Sequence, residues 1–137
     1  MTNIITKTWM TLAVVAPLLL GAASVGAADC SDTTTVVAGQ SSGAICSNAG
    51  FTSGATTTIN GNVSARAGVT LGADSQTNGS VSAGGAFTSG ANSAVNGNVT
   101  SAGDVTLGAN SRIVGSVHSA TGVINYGAGA TVGSVIK

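Results

Sequence analysis

Glutamate is absent from this chain of 137 residues, and charged residues of every kind make up only 6% of it. Ordinary domains carry about a quarter. The formal net charge is zero, so there is no basic footprint for nucleic acid and no acidic field for cationic partners. Aromatics amount to 3%, and Leu and Ile are sparse, which excludes a core built from amphipathic helices. Low charge also argues against simple disorder, which pairs low hydrophobicity with high net charge. Two cysteines and the lone His118 are too few for a four-ligand metal shell. Asp74 and Asp104 occupy different repeat positions and make no carboxylate pair. His118 stands where the other repeats carry Ser64, Ser82 and Thr100, with no nucleophile set beside it. No phosphate loop and no calcium-binding nonapeptide occurs. The chain therefore reads as non-enzymatic and without a cofactor.

What is abundant is glycine, 21 residues of it, and it falls in register. Val63, Val81, Val99, Val117 and Val135 recur every 18 residues, each preceded by Gly-Asn or Gly-Ser. Phe51, Val69, Phe87, Val105 and Val123 keep the same interval, as do Gly54, Gly72, Gly90 and Gly108, each followed by alanine. A further column runs Ile59, Thr77, Val95, Ile113, Thr131. A disordered Gly/Ser/Ala tract has no need of such a register.

Inside each repeat the period is two. Val69-Thr70-Leu71 and Val63-Ser64-Ala65 alternate apolar and polar, as strands do, and Gly, Ala, Asn and Ser between them form turns. The expectation is an all-β, parallel, three-sided β-solenoid of 18-residue coils over residues 45–137, stacked at about 4.8 Å. Large Phe with small Ser (Phe51/Ser53, Phe87/Ser89) alternates with Val and Leu (Val69/Leu71, Val105/Leu107), which compensates volume between layers. The stretch from Val123 to Ala128 carries one extra residue, expected as a bulge that puts Ile124 at the position held elsewhere by Thr.

Residues 1–28 differ from the rest. Lys7, the apolar run Thr11–Leu20 and the small residues 22–28 read as a secretory signal peptide, a cleavable helix cut after Ala27 or Ala28. Its removal leaves Arg66, Arg112 and Lys137 against four aspartates, and no membrane span in the mature chain. Residues 29–44 fit the repeat loosely and are expected to cap it. Export predicts a Cys30–Cys46 disulfide, closing a loop of about sixteen residues worth roughly 3 kcal/mol.

Two surface features stand out. Thr52, Thr70, Thr88 and Thr106 form an outward column, and Asn60, Asn78 and Asn96 another. Asn62-Val63-Ser64, Asn78-Gly79-Ser80 and Asn98-Val99-Thr100 match glycosylation sequons, which the repeat itself generates. At the C-terminus, Ile124, Tyr126, Val132 and Ile136 lie near an end with no evident polar cap. Such an end can template further pairing.

The residues Gly61-Asn62-Val63, Gly68-Val69-Thr70-Leu71-Gly72 and Gly103-Asp104-Val105-Thr106-Leu107-Gly108 carry a resemblance to bactofilins over residues 45–137. That resemblance implies a triangular β-helix that polymerises end to end without nucleotide. The Thr-, Ser- and Ala-rich repeats also look like the β-solenoid of secreted bacterial ice-binding proteins. The expected function is that of an exported structural protein, secreted, periplasmic or at the cell surface, whose partner is itself. Ice binding through the Thr/Asn ladders is the alternative, and an adhesin-like module contacting a cell-surface component is a further one.

Overall fold

A computed structural model of the chain describes residues 32–137. The proposed leader and Cys30 lie outside the described residues. Within them there is no helix, and every strand pairing is parallel.

The strands follow one another coil by coil. The first coil holds β1 (Thr35–Val36), β2 (Ser41–Ser42) and β3 (Ile45–Ser47). The next three hold β4 (Phe51–Ser53), β5 (Thr58–Ile59) and β6 (Val63–Ala65); β7 (Val69–Leu71), β8 (Gln76–Thr77) and β9 (Val81–Ala83); β10 (Phe87–Ser89), β11 (Ala94–Val95) and β12 (Val99–Ser101). The fifth holds β13 (Val105–Leu107) and β14 (Arg112–Ser119), and the sixth β15 (Ile124–Tyr126) and β16 (Thr131–Ile136). First strands stack in the order β1-β4-β7-β10-β13-β15, which makes a β-solenoid of six coils. Second and third strands form two further columns, merged into one sheet because the eight-residue β14 runs through both.

The 18-residue register holds through the middle of the stack. Val63 lies beside Val81 and Val81 beside Val99; Phe51 pairs with Val69, and Phe87 with Val69 and Val105. The three-residue strands of the central coils alternate buried, exposed, buried and contribute two side chains inward, while the two-residue strands β5, β8 and β11 bury one each. Phe51, Phe87, Val63, Val99, Leu71 and Leu107 are all essentially inaccessible to solvent. Burying each such side chain is worth about 1.5–3 kcal/mol, so a thin core suffices because every coil closes the one before it. The expected volume alternation is present: Ser89 sits between Leu71 and Leu107 while Phe87 sits between Val69 and Val105. The small partner also has a polar task, since Ser53 Oγ and Ser89 Oγ accept hydrogen bonds from the backbone N–H of Gly72 and Gly108 in the next coil (3.1 and 3.2 Å).

At both ends the register departs from 18, and at the C-terminal end two sequence expectations are corrected. Ile124, not Val123, lies beside Val105, and Asn125 beside Thr106. The extra residue is thus in the turn between Ser119 and Ile124 rather than in a strand bulge, and Ile124 faces the core column while Asn125 takes the Thr position. Val132, not Thr131, lies beside Ile113, and the 18-residue register returns at Ser116↔Ser134 because β14 bulges between Ile113 and Ser116. At the other end β1 and β2, in the segment expected as a cap, pair onto β4 and β5 at an offset of 17 (Thr35↔Thr52, Ser41↔Thr58).

Corners are made by a turn that repeats with the coil. Thr56, Asp74, Asn92 and Asn110 all have φ of 56–57°, and Gly39 and Gly129 complete the column with φ of 75° and 74°. All of these except Gly129 donate their backbone N–H to an alanine carbonyl of the following coil, as in Thr56→Ala73 and Asn92→Ala109 (both 2.8 Å). After Thr56, Asp74, Asn92 and Asn110 the next residue is buried and hydroxylated, and its Oγ closes the turn onto the carbonyl three positions back: Ser75→Gly72 at 2.7 Å, Ser93→Gly90 at 2.8 Å, Ser111→Gly108 at 2.7 Å. Gly, Asn and Asp tolerate the left-handed region, whereas a β-branched residue there is strained. Thr56 is the exception in its column. Thr56→Asn should therefore stabilise the protein by about 1 kcal/mol, seen as a rise of several degrees in Tm.

Among the described residues, one buried side-chain polar atom lacks a partner. Thr77 is 0% exposed, in the column otherwise made by Ile59, Val95 and Ile113, and its Oγ1 makes no hydrogen bond. A buried hydroxyl in that state costs about 1–3 kcal/mol. Thr77→Val keeps the shape and removes the cost, so the denaturation midpoint should rise by the equivalent of about 1–2 kcal/mol at unchanged m-value; a fall would show that the hydroxyl is satisfied.

Candidate functional site

Three surface features survive as candidates, and hydrogen bonding separates them. The threonine column stands on the six-stranded sheet. Thr52, Thr70, Thr88 and Thr106 are exposed and directly adjacent from coil to coil. The structure extends the column at both ends, with Thr35 beside Thr52 and Asn125 beside Thr106. Counting by 18 misses both, because their offsets are 17 and 19. Parallel pairing spaces the hydroxyls at about 4.8 Å. None of the hydroxyls of Thr52, Thr70, Thr88 and Thr106 has a hydrogen-bond partner among the described residues.

Glycines flank this column on one side, and they are there for steric reasons. A Cβ at Gly72 would lie 2.5 Å from the carbonyl carbon of Gly54, and one at Gly90 2.6 Å from the backbone nitrogen of Ala73. The backbones of successive coils pack directly on each other at this corner, and the threonine methyl and hydroxyl groups project beside a low glycine lane.

The asparagine column is different. Asn78 Nδ2 donates to Asn60 Oδ1 (2.9 Å), and Asn96 Nδ2 donates to Asn78 Oδ1 (2.8 Å). Gln76 Nε2 adds a second donor to Asn78 Oδ1 (3.0 Å). The neighbouring column also bonds coil to coil: Asn62 Oδ1 accepts from Ser80 N–H, Ser80 Oγ from Asn98 N–H, and Asn98 Oδ1 from Ser116 N–H (2.9, 3.1 and 2.8 Å). These amides, the asparagines of all three sequons included, are engaged in holding the stack. Val114, exposed in the next coil at the equivalent position, ends the asparagine run.

The described aspartates and the histidine have structural partners too. Asp32 Oδ1 accepts from Asn48 N–H, Asp74 Oδ1 from Asn92 Nδ2, and Asp104 Oδ1 from Thr121 Oγ1. His118 lies between Thr100 and Ile136 on the third-strand column, its Nδ1–H donating to the carbonyl of Ile136 (3.1 Å). No group of three or more His, Cys, Asp or Glu able to hold a metal ion occurs among the described residues. Cys46 is half-buried on β3 and is not a free cysteine.

The third feature is the C-terminal end. Ile124, Tyr126, Val132 and Val135 continue the core columns of Val105, Leu107, Ile113 and Val117. Among the described residues nothing packs over them, and Tyr126 is 50% and Val135 39% exposed where their equivalents below are buried. Gly122, Ile124, Tyr126, Val135 and Lys137 line a shallow cavity of about 250 Å³ there. Of the residues expected at this end, Ile136 is placed otherwise: it stands in the outward column above His118, exposed to the side, and Val135 takes the end-facing position. β15 ends its sheet and β16 pairs only with β14, so both present an unpaired strand edge.

No protein-family model, curated protein or solved structure matches this chain.

Proposed function

We propose that this chain is an exported, non-catalytic structural protein that assembles with copies of itself through the open end of its solenoid. The observation that carries the reading is the run of core columns into solvent at Ile124, Tyr126, Val132 and Val135. An apolar core section ringed by unpaired strand edges is a template for pairing, and a second copy offers matching apolar columns at the same spacing. The similarity of the repeats to bactofilins supports assembly end to end, and a three-sided cross-section, with one side per strand column, supplies the flat ends this needs. A cleaved leader over residues 1–28 and a Cys30–Cys46 bridge belong to the same proposal. They put the protein outside the cytosol, where oxidation holds its first coil.

The purified mature chain should elute as dimers or larger assemblies, or form filaments by negative-stain microscopy, and Val135→Lys should return it to monomers without loss of strand signal. A wild-type protein that is monomeric at every accessible concentration contradicts the proposal.

A second reading has its own observation. The Thr52–Thr106 hydroxyls are regularly spaced, exposed and without internal partners, whereas the asparagines are tied into the stack. An uncharged hydroxyl lattice on a rigid face matches the surface of ice, and the similarity to ice-binding solenoids supports it. On this reading the protein inhibits ice recrystallisation, and Thr70→Tyr with Thr88→Tyr abolishes that activity while leaving Tm within a few degrees. Activity that survives both substitutions removes the threonine column from consideration.

A further inference from the structure

Three of the corners contain Asn-Gly: Asn60-Gly61, Asn78-Gly79 and Asn96-Gly97. This pair is prone to spontaneous deamidation because glycine has no side chain to keep its backbone nitrogen from the asparagine Cγ. The nitrogen of the glycine forms a bond to Cγ, the Cγ–Nδ2 bond breaks, and ammonia leaves with the proton from the glycine N–H. Water then opens the resulting five-membered imide at either carbonyl, giving aspartate or isoaspartate. Two groups must be free for this, the attacking N–H and the departing amide.

The three sites differ in both. At Asn96 the departing Nδ2 is held by Asn78 Oδ1 (2.8 Å) and the attacking N–H of Gly97 is held by the carbonyl of Gly79 (3.1 Å). At Asn78 the amide is held on both sides, Nδ2 by Asn60 and Oδ1 by Asn96 and Gln76, while Gly79 N–H has no partner among the described residues. At Asn60 neither group is restrained: Nδ2 and the N–H of Gly61 both lack a partner among the described residues. The only bond to its amide is the one Oδ1 accepts from Asn78, which polarises the carbonyl toward attack.

We propose that Asn60 is a built-in deamidation site, and that the asparagine ladder and the Gly97–Gly79 bond shield the other two. The ladder also decides what each product does. Asn60 only accepts within the ladder, so an aspartate there keeps its bond from Asn78 and adds one negative charge to the surface. An aspartate at 78 has lost the Nδ2 donor, and its carboxylate oxygen faces Asn60 Oδ1. The isoaspartate form at 60 lengthens the backbone by one carbon at the corner where Gly61 passes over Ala44.

The test is peptide mapping by mass spectrometry of the full-length protein aged in mildly alkaline buffer, folded and, in parallel, unfolded in denaturant. The unfolded chain supplies the intrinsic rate at each site. The ratio of folded to unfolded rate should be highest at Asn60, lower at Asn78 and lowest at Asn96, with about tenfold or more between the extremes, since each hydrogen bond removed on the way to the imide is worth about 1 kcal/mol. Any order in which Asn60 is not first, or equal ratios at all three, overturns the proposal.

Discussion

Everything in this molecule depends on coils lying directly on one another at the spacing of parallel strands. Backbone bonds along the stack require that equivalent residues superpose, and at the Gly54–Gly72–Gly90–Gly108 corner the chains approach so closely that a Cβ would stand 2.5–2.6 Å from the backbone below. Glycine there is a condition of the stacking itself. Once the corner is fixed, each three-residue strand of the central coils presents two residues inward and one outward, and a few aliphatic side chains per coil close a continuous core. The odd composition follows: little charge, few aromatics and much glycine are what narrow, stacked coils require.

Polar residues divide the same way. Buried hydroxyls such as Ser75, Ser93 and Ser111 close turns onto carbonyls three residues back. Exposed asparagines bond upward or downward to the next coil. Both classes are structural despite looking like a binding surface in the sequence. The threonine column is the longest regular array whose hydroxyls the fold leaves uncommitted, Ser64, Ser82 and Thr100 making a shorter one on the third strands, and the C-terminal end is the one place where the core columns meet solvent among the described residues. Function is accordingly sought at a face and at an end, and the two readings place it at different ones.

The solenoid was legible because its central coils repeat without error: Val63, Val81 and Val99, or Thr70, Thr88 and Thr106, can be counted off by 18. Where one residue is added or lost, counting fails. It put Val123 and Thr131 in columns that belong to Ile124 and Val132, and passed over Thr35 and Asn125. Those misses have one physical cause: a turn can absorb an extra residue that a strand register cannot, so the shift before β15 hides in the loop and is taken back at the bulge of β14. The left-handed corner column was also overlooked, although Gly39, Asp74, Asn92, Asn110 and Gly129 are residues that such a conformation selects. Thr56 among them masked the pattern.

The central claim is that residues 18 apart are vertical neighbours in one chain. Paired parallel strands hold such positions at about 4.8 Å, within the separation a disulfide spans. Cysteines introduced together at Ser82 and Thr100 should therefore oxidise to an intramolecular bridge in the folded monomer, while a pair at Ser82 and Thr106, on different strand columns, should not. Bridging of the second pair in preference to the first would contradict the stacked architecture and everything built on it.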